Sequence, residues 1–225
     1  APLSVQFNKL LDLQNILDRH VGPAPDFSDD ALYLVNIDPK SSEYGKFEFL
    51  DMGSGNFPAT MKDPTKYFDF DTRRNGSNFL FESVQEVDAN GNGKLDPEED
   101  TDDDDVWDSP NTLTPGADPL EWRQLLDFYE RETNTLIIHP VDALRPATRY
   151  AVVLTSALVD ADGKPINSPF KFINHTRQTD DLSALKVILP KNLPARFDES
   201  LRDVRFAWSF TTQSSTLELE AIRAG

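Results

Sequence analysis

Twelve consecutive residues, Asp88 to Glu99, carry oxygen donors at the spacing a hard cation needs. With Asp88 at position 1, Asn90 and Asn92 fall at positions 3 and 5, Gly93 at 6, Lys94 at 7, Leu95 at 8, Asp96 at 9 and Glu99 at 12. In a tightly wound loop alternate residues point inward, so Asp88, Asn90 and Asn92 converge. Gly93 permits the sharp turn after position 5, and the Lys94 backbone carbonyl adds one oxygen. Asp96 acts directly or through a water, and Glu99 closes the shell with two oxygens. Three carboxylates, Asp88, Asp96 and Glu99, more than neutralise a divalent ion. The chemistry these residues predict is Ca²⁺ coordination.

The spacing is that of an EF-hand-like loop, and it partly repeats at a period of twelve. Asp88, Asn90, Asn92, Leu95 and Asp96 map onto Asp100, Asp102, Asp104, Trp107 and Asp108. Two positions depart: Asp105 replaces the glycine and Asn111 the closing glutamate. The first loop therefore reads as the strong site. The second, with Asp100, Asp102, Asp104 and Asp108, reads as a weaker site or an extension of the first. A run of like charges is also what a solvated acidic loop looks like. The match at seven positions of the first loop weighs against that reading. Asp102–Asp105 forms helix poorly, so a complete helix–loop–helix is not expected.

The remaining elements must hold this loop. The chain has 225 residues, 38% hydrophobic and 27% charged, enough to bury a core. Fifteen Phe against two Met, with sixteen Pro and ten Gly, favour strands and turns. A net charge of −17 argues against nucleic acid or an anionic membrane surface as partner. No transmembrane run and no signal peptide is present. With no cysteine, disulfides say nothing of the compartment. An acidic, cysteine-free chain with a calcium loop points to an exported bacterial protein, extracellular or on the cell surface. The abrupt start at Ala1, beside an apparent strand, points to an excised mature fragment.

Leu3, Val5 and Phe7 alternate as a strand, and Asp12–His20 forms a short helical or irregular turn. Ala31–Ile37 is a continuous apolar run suited to a buried strand, and Phe47–Leu50 adds another. Between Gly53 and about Ser77 the pattern is lost, and Phe57, Tyr67, Phe68 and Phe70 are expected to pin a loop. Phe79–Val87 is ambiguous between strand and helix. Leu125–Tyr129 and Thr135–His139 form a hairpin, with a helix over Leu120–Glu130 as the competitor. Arg149–Leu158 ends in the turn Asp160–Gly163, and Phe170–Ile173 is its expected pair. Leu182–Leu189 is a short helix that stops at Pro190. Val204, Phe206, Trp208 and Phe210 alternate strictly, predicting a strand with Trp208 in the core.

Leu144, Pro146, Thr148 and Tyr150, followed by Asp160, Gly163 and Pro165, form a pattern that resembles bacterial immunoglobulin-like (Ig-like) domains. There Pro146 fixes a corner that the Tyr150 hydroxyl can anchor. Phe206–Ser214 looks like the last strand of such a domain, and Ser4–Asp12 like an early one. Thr133–Pro165 and Phe206–Ser214 together resemble the N-terminal domain of bacterial virulence-factor-type lipases. That resemblance implies an all-β, antiparallel β-sandwich over residues 1–213 with a long insertion at about 53–118. It also implies a linker, 214–225, toward a C-terminal α/β-hydrolase domain. The calcium loop is no part of that family's pattern.

Catalytic signals are thin. No G-x-S-x-G, H-E-x-x-H or phosphate-binding glycine loop occurs, and the family's catalytic serine motif has no counterpart here. His139 is expected at a rim, and His20 and His175 in surface turns. Tyr67, Phe68, Phe70, Trp107 and Trp122 suit core duty better than a sugar- or lipid-binding platform. The expected function is a non-catalytic calcium-binding β-sandwich domain that positions or targets a catalytic domain in cis. The alternatives are an adhesion or glycan-binding module with a surface ligand, and a hydrolase with an unrecognised carboxylate site.

Overall fold

A computed structural model of the chain describes residues 3–20, 26–52, 86–100, 105, 107, 111–114, 124, 126–131, 133–214 and 222–223. The chain forms two compact units, one of Ala1–Leu13 with Asp51–Ile138, the other of Gln14–Leu50 with His139–Gly225. Most of the expected insertion at 53–118, with Phe57, Tyr67, Phe68, Phe70 and most of Phe79–Val87, lies outside the described residues, as does Trp122. Among the described residues strands outweigh helices, and every strand register established among them is antiparallel. Among the described residues no helix is long and apolar enough to cross a membrane.

In the first unit, β1 (Leu3–Gln6) pairs with β6 (Thr135–Pro140), Leu3 opposite Ile138. A hairpin does form with β6, but through the two-residue strand β5 (Tyr129–Glu130), which shares only Tyr129 with the expected Leu125–Tyr129 strand; Leu126–Phe128 lie outside any strand. The described residues of Leu120–Glu130 are not α-helical. Leu11, Leu126, Phe128, Leu136 and Ile137 are buried. So is Tyr129, whose hydroxyl accepts the Leu11 N–H at 3.3 Å.

The helix expected near Asp12–His20 is α1 (Leu13–His20). Its Arg19 sits in the last turn, where a cation suits the helix dipole. In the second unit, β2 (Leu32–Asn36), β3 (Phe47–Glu48), β7 (Arg149–Thr155) and β8 (Val204–Thr211) make one sheet in the order β3-β2-β7-β8. All five residues of β2 are buried, the polar Asn36 included. The remainder of the expected Phe47–Leu50 strand continues separately as β4 (Leu50–Asp51). Two helices, α2 (Thr179–Leu182) and α3 (Leu185–Asn192), bring Leu182, Leu185, Ile188 and Leu189 into one apolar cluster with Tyr33, Val35, Ala151, Val153 and Ala207. The helix does not stop at Pro190. Pro190 removes one N–H, yet Leu193 N–H still reaches the Leu189 carbonyl at 2.9 Å and burial of Ile188 and Leu189 holds the turn.

Two strand expectations need correction. Phe170–Ile173 forms bends instead of a strand, touching β8 through a single backbone bond from Ala207 N–H to the Ile173 carbonyl, 2.7 Å. Trp208 is half-buried, along with Phe206 and Phe210, while Ala207 and Ser209 on the opposite face are buried. Small residues on that face leave room for the helices, so the aromatic row is the less enclosed side of β8.

Tyr150 is buried, and its hydroxyl accepts the Arg145 N–H at 3.1 Å. Gly163 takes φ +75° at the expected turn, where its N–H reaches the Asp160 carbonyl at 2.8 Å. Tyr150→Phe strips the acceptor from a backbone donor, so a loss of about 1–2 kcal/mol is expected in urea unfolding. An unchanged midpoint would show that water replaces the hydroxyl.

Candidate metal centre

Loop 88–99 is wound by its own side chains. The Asp88 carboxylate accepts N–H groups from Gly91 at 2.6 Å, Asn92 at 3.1 Å and Gly93 at 2.7 Å. These bonds, that to Gly93 foremost, hold its pKa below the ordinary carboxylate value and keep it ionised. Gly91 and Gly93 both sit at φ +72°, the left-handed region that glycine adopts freely. The Asn90 and Asn92 side-chain oxygens accept the N–H groups of Asn92 (3.0 Å) and Lys94 (2.7 Å).

Glu99 joins the two ends. Its Oε1 accepts the Ala89 N–H at 2.8 Å and its Oε2 the Asp96 N–H at 3.2 Å. The Asn90 and Asn92 amides both donate to Asp96 Oδ2, at 2.5 and 2.7 Å. Two partial positive charges thus face the Asp96 carboxylate. Turning each amide by half a revolution would exchange its nitrogen for an oxygen at that point. Asp88, Asn90, Asn92, Asp96 and Glu99 are thereby tied into one small ring of contacts, with the Lys94 backbone in the same turn. Residues 97–99 after it form a single turn. Among the described residues, no group of three or more His, Asp or Glu side chains is gathered closely enough to hold a metal by itself. The donors that the loop offers a cation are mixed, with carboxamide and backbone oxygens beside the carboxylates.

The period of twelve is visible in the backbone. Asp100 Oδ2 accepts the Asp105 N–H at 3.0 Å, the same five-residue step that joins Asp88 to Gly93. Asp105 has φ +64°, a conformation its glycine counterpart adopts without strain. Asp102, Asp104 and Asp108 lie outside the described residues. At the closing position, Asn111 is buried and donates to the Tyr129 carbonyl at 2.6 Å, while its oxygen accepts the Arg131 N–H at 3.1 Å. Its side chain therefore holds the first unit's hairpin, a role that spacing did not reveal. Trp107 is exposed.

Of the histidines, His175 is exposed and caps a short turn by accepting the Arg177 N–H at 3.2 Å. His139 is partly buried at the end of β6. His20, expected at the surface, is instead buried, with Nδ1 3.6 Å from Asp30 Oδ2 and no hydrogen-bond partner on Nε2. The spacing of Leu13, Ile16 and His20 places all three on one helical face, which is the signal for it. Asp51 and Asp127 form a buried acidic pair in the first unit. Burial and then the Asp51 charge push Asp127 up to about 6.

No protein-family model, no curated protein and no solved structure matches this chain.

Proposed function

We propose that this chain is a non-catalytic, calcium-stabilised β-rich domain of an exported bacterial protein. The observation that carries this reading is the closed winding of Asp88–Glu99, in which Glu99 binds the backbone at both ends of the loop. Calcium would take oxygens from Asp88, Asn90, Asn92, the Lys94 carbonyl, Asp96 and Glu99. Asp100 and its successors, Asp102, Asp104 and Asp108, would extend the site. The likeness of Leu144–Pro165 and Phe206–Ser214 to Ig-like domains of virulence-factor-type lipases supports a place beside an α/β-hydrolase domain. Its role there is to position or target the catalytic domain.

Titration calorimetry on chelator-treated protein is expected to show Ca²⁺ binding, with Mg²⁺ a poor substitute because it demands a smaller octahedral shell. Free calcium a hundredfold above Kd should stabilise the native state by about 2.7 kcal/mol, raising the melting temperature reversibly. Glu99→Gln removes a charge and weakens the bidentate ligand, so it should lower affinity at least tenfold. Absence of heat at millimolar calcium would leave only a hydrogen-bonded acidic loop and end the proposal.

A further inference from the structure

The second unit carries an open pocket of about 670 Å³ beside the edge strand β8. This volume is in the range of small-molecule sites. Its lining contains Lys171, Lys186 and Arg205 and no Asp or Glu, in a chain whose net charge is −17. Among the described residues no carboxylate pairs with these three cations. They come from three separate segments: the bend at 169–174, α3 and β8.

Arg205 is placed there by an irregularity in the sheet. Leu154 faces Phe206 and Thr155 faces Val204, so Arg205 is the extra residue of a β-bulge. Bulges re-aim a side chain that regular pairing would fix, and they recur beside functional sites. The Arg205 Nε is buried without a hydrogen-bond partner. A buried, unpaired guanidinium N–H is costly unless something accepts from it. Leu182, Leu201 and Val204 supply an apolar floor, each nearly inaccessible. Phe170 and Phe172 stand at the rim with 43% and 55% of their surface exposed. The Lys171 ammonium lies 5.7 Å from the Phe172 ring centroid.

We propose that this pocket binds a small organic carboxylate with an apolar body. Arg205 and the two lysines take the carboxylate, and Phe170 and Phe172 take the body. The cations give the sign of the ligand and the bulge gives its anchor. The aromatic rim and aliphatic floor exclude a bare inorganic anion as the best fit. The site does not depend on the Asp88–Glu99 loop.

The test is a ¹H–¹⁵N titration of the full chain, calcium-saturated, with octanoate, 3-phenylpropionate and octylammonium as probes. One of the two carboxylates should shift amides in 167–174, 182–186 and 200–205, and which of them binds more tightly tells an alkyl body from an aryl one. Octylammonium should bind at least tenfold more weakly than octanoate. Lys186→Gln, an exposed substitution, and Arg205→Gln should each weaken carboxylate binding about tenfold, the effect of losing one charge-assisted contact. Equal affinity for octylammonium would reduce the pocket to an apolar patch and overturn the proposal. So would unchanged affinity in Lys186→Gln, or no carboxylate binding at 10 mM, roughly the limit of useful affinity.

Discussion

Arg196→Ala is expected to destabilise the second unit by about 3–5 kcal/mol, the largest effect of any single charged side chain described here. The guanidinium Nε donates to Asp203 Oδ2 at 2.7 Å, and its two terminal nitrogens reach Thr155 Oγ1 at 2.8 Å and the Asp30 carbonyl at 2.7 Å. It also donates to the Tyr33 hydroxyl and lies 5.4 Å from the Tyr33 ring centroid. Only 14% of the side chain is exposed. Removing it takes one donor each from a largely enclosed carboxylate, two hydroxyls and a carbonyl, leaving Asp203 the Ser156 hydroxyl, in a setting where water cannot replace all four donors. Arg196→Lys should recover part of the loss, since an ammonium keeps the charge but not the planar fork. Arg202 provides the contrast. It bonds Asp198 at 3.2 Å with 83% of its side chain exposed, so Arg202→Ala should change stability by less than about 1 kcal/mol. Equal urea midpoints for the two alanine variants would refute the assignment.

The second large effect concerns pH. Burial, then the positive charges of Arg19 and Arg196, lower His20 to about 4. Burial, then the negative charge of Asp29, raises Asp30 to about 7. His20 is therefore protonated more readily in the unfolded chain, and its contribution to stability is present above about 6.5 and lost as pH falls through 4. Asp30 runs the other way. Its contribution is present below about 3.8 and lost as pH rises through 7. Between these limits folding trades one proton for another, and the two slopes offset. Burial is the first cause of each shift, although the two groups lie 3.6 Å apart, so removing one side chain should expose the slope of the other. Asp30→Asn should make stability climb by about 3 kcal/mol from pH 4 to 6.5, and His20→Gln should make it fall by a similar amount over pH 4 to 7. Two variants whose pH profiles run parallel to that of the parent would sink this account.

Sequence periodicity showed where strands lie better than which of their faces is enclosed. The run Ala31–Ile37 identified β2 because a strand buried on both sides is almost wholly apolar; its one polar residue, Asn36, donates to Ser41 Oγ and accepts the Asp38 N–H. The alternation of Phe206, Trp208 and Phe210 identified β8, but both faces of that strand contain residues able to pack. Size decided between them: Ala207 and Ser209 admit the helices, while the larger rings stay half-buried. Period two also cannot register a bulge, so Arg205 reads in the sequence as one more outward residue. The first loop was legible because each position has its own stereochemical requirement, and Gly93 meets the strictest of them at φ +72°. Asn111 was not, because the backbone groups it serves belong to residues fifteen or more positions downstream.

The division of the chain into two discontinuous units has a consequence for its synthesis. The path crosses from one unit to the other after Leu13, Leu50 and Ile138, so no single cut separates them. A ribosome delivers β2 more than a hundred residues before its central neighbour β7, as the bond between Thr155 and Asp30 at a separation of 125 residues shows. In the interval Leu32–Val35 has only the two-residue β3 to pair with and its β7 edge stays open, the kind of edge that associates with other chains. Completion of the second unit accordingly waits for the residues from His139 onward. A nascent chain halted at that point holds the residues of the first unit but lacks most of the second, and is the species that needs a chaperone.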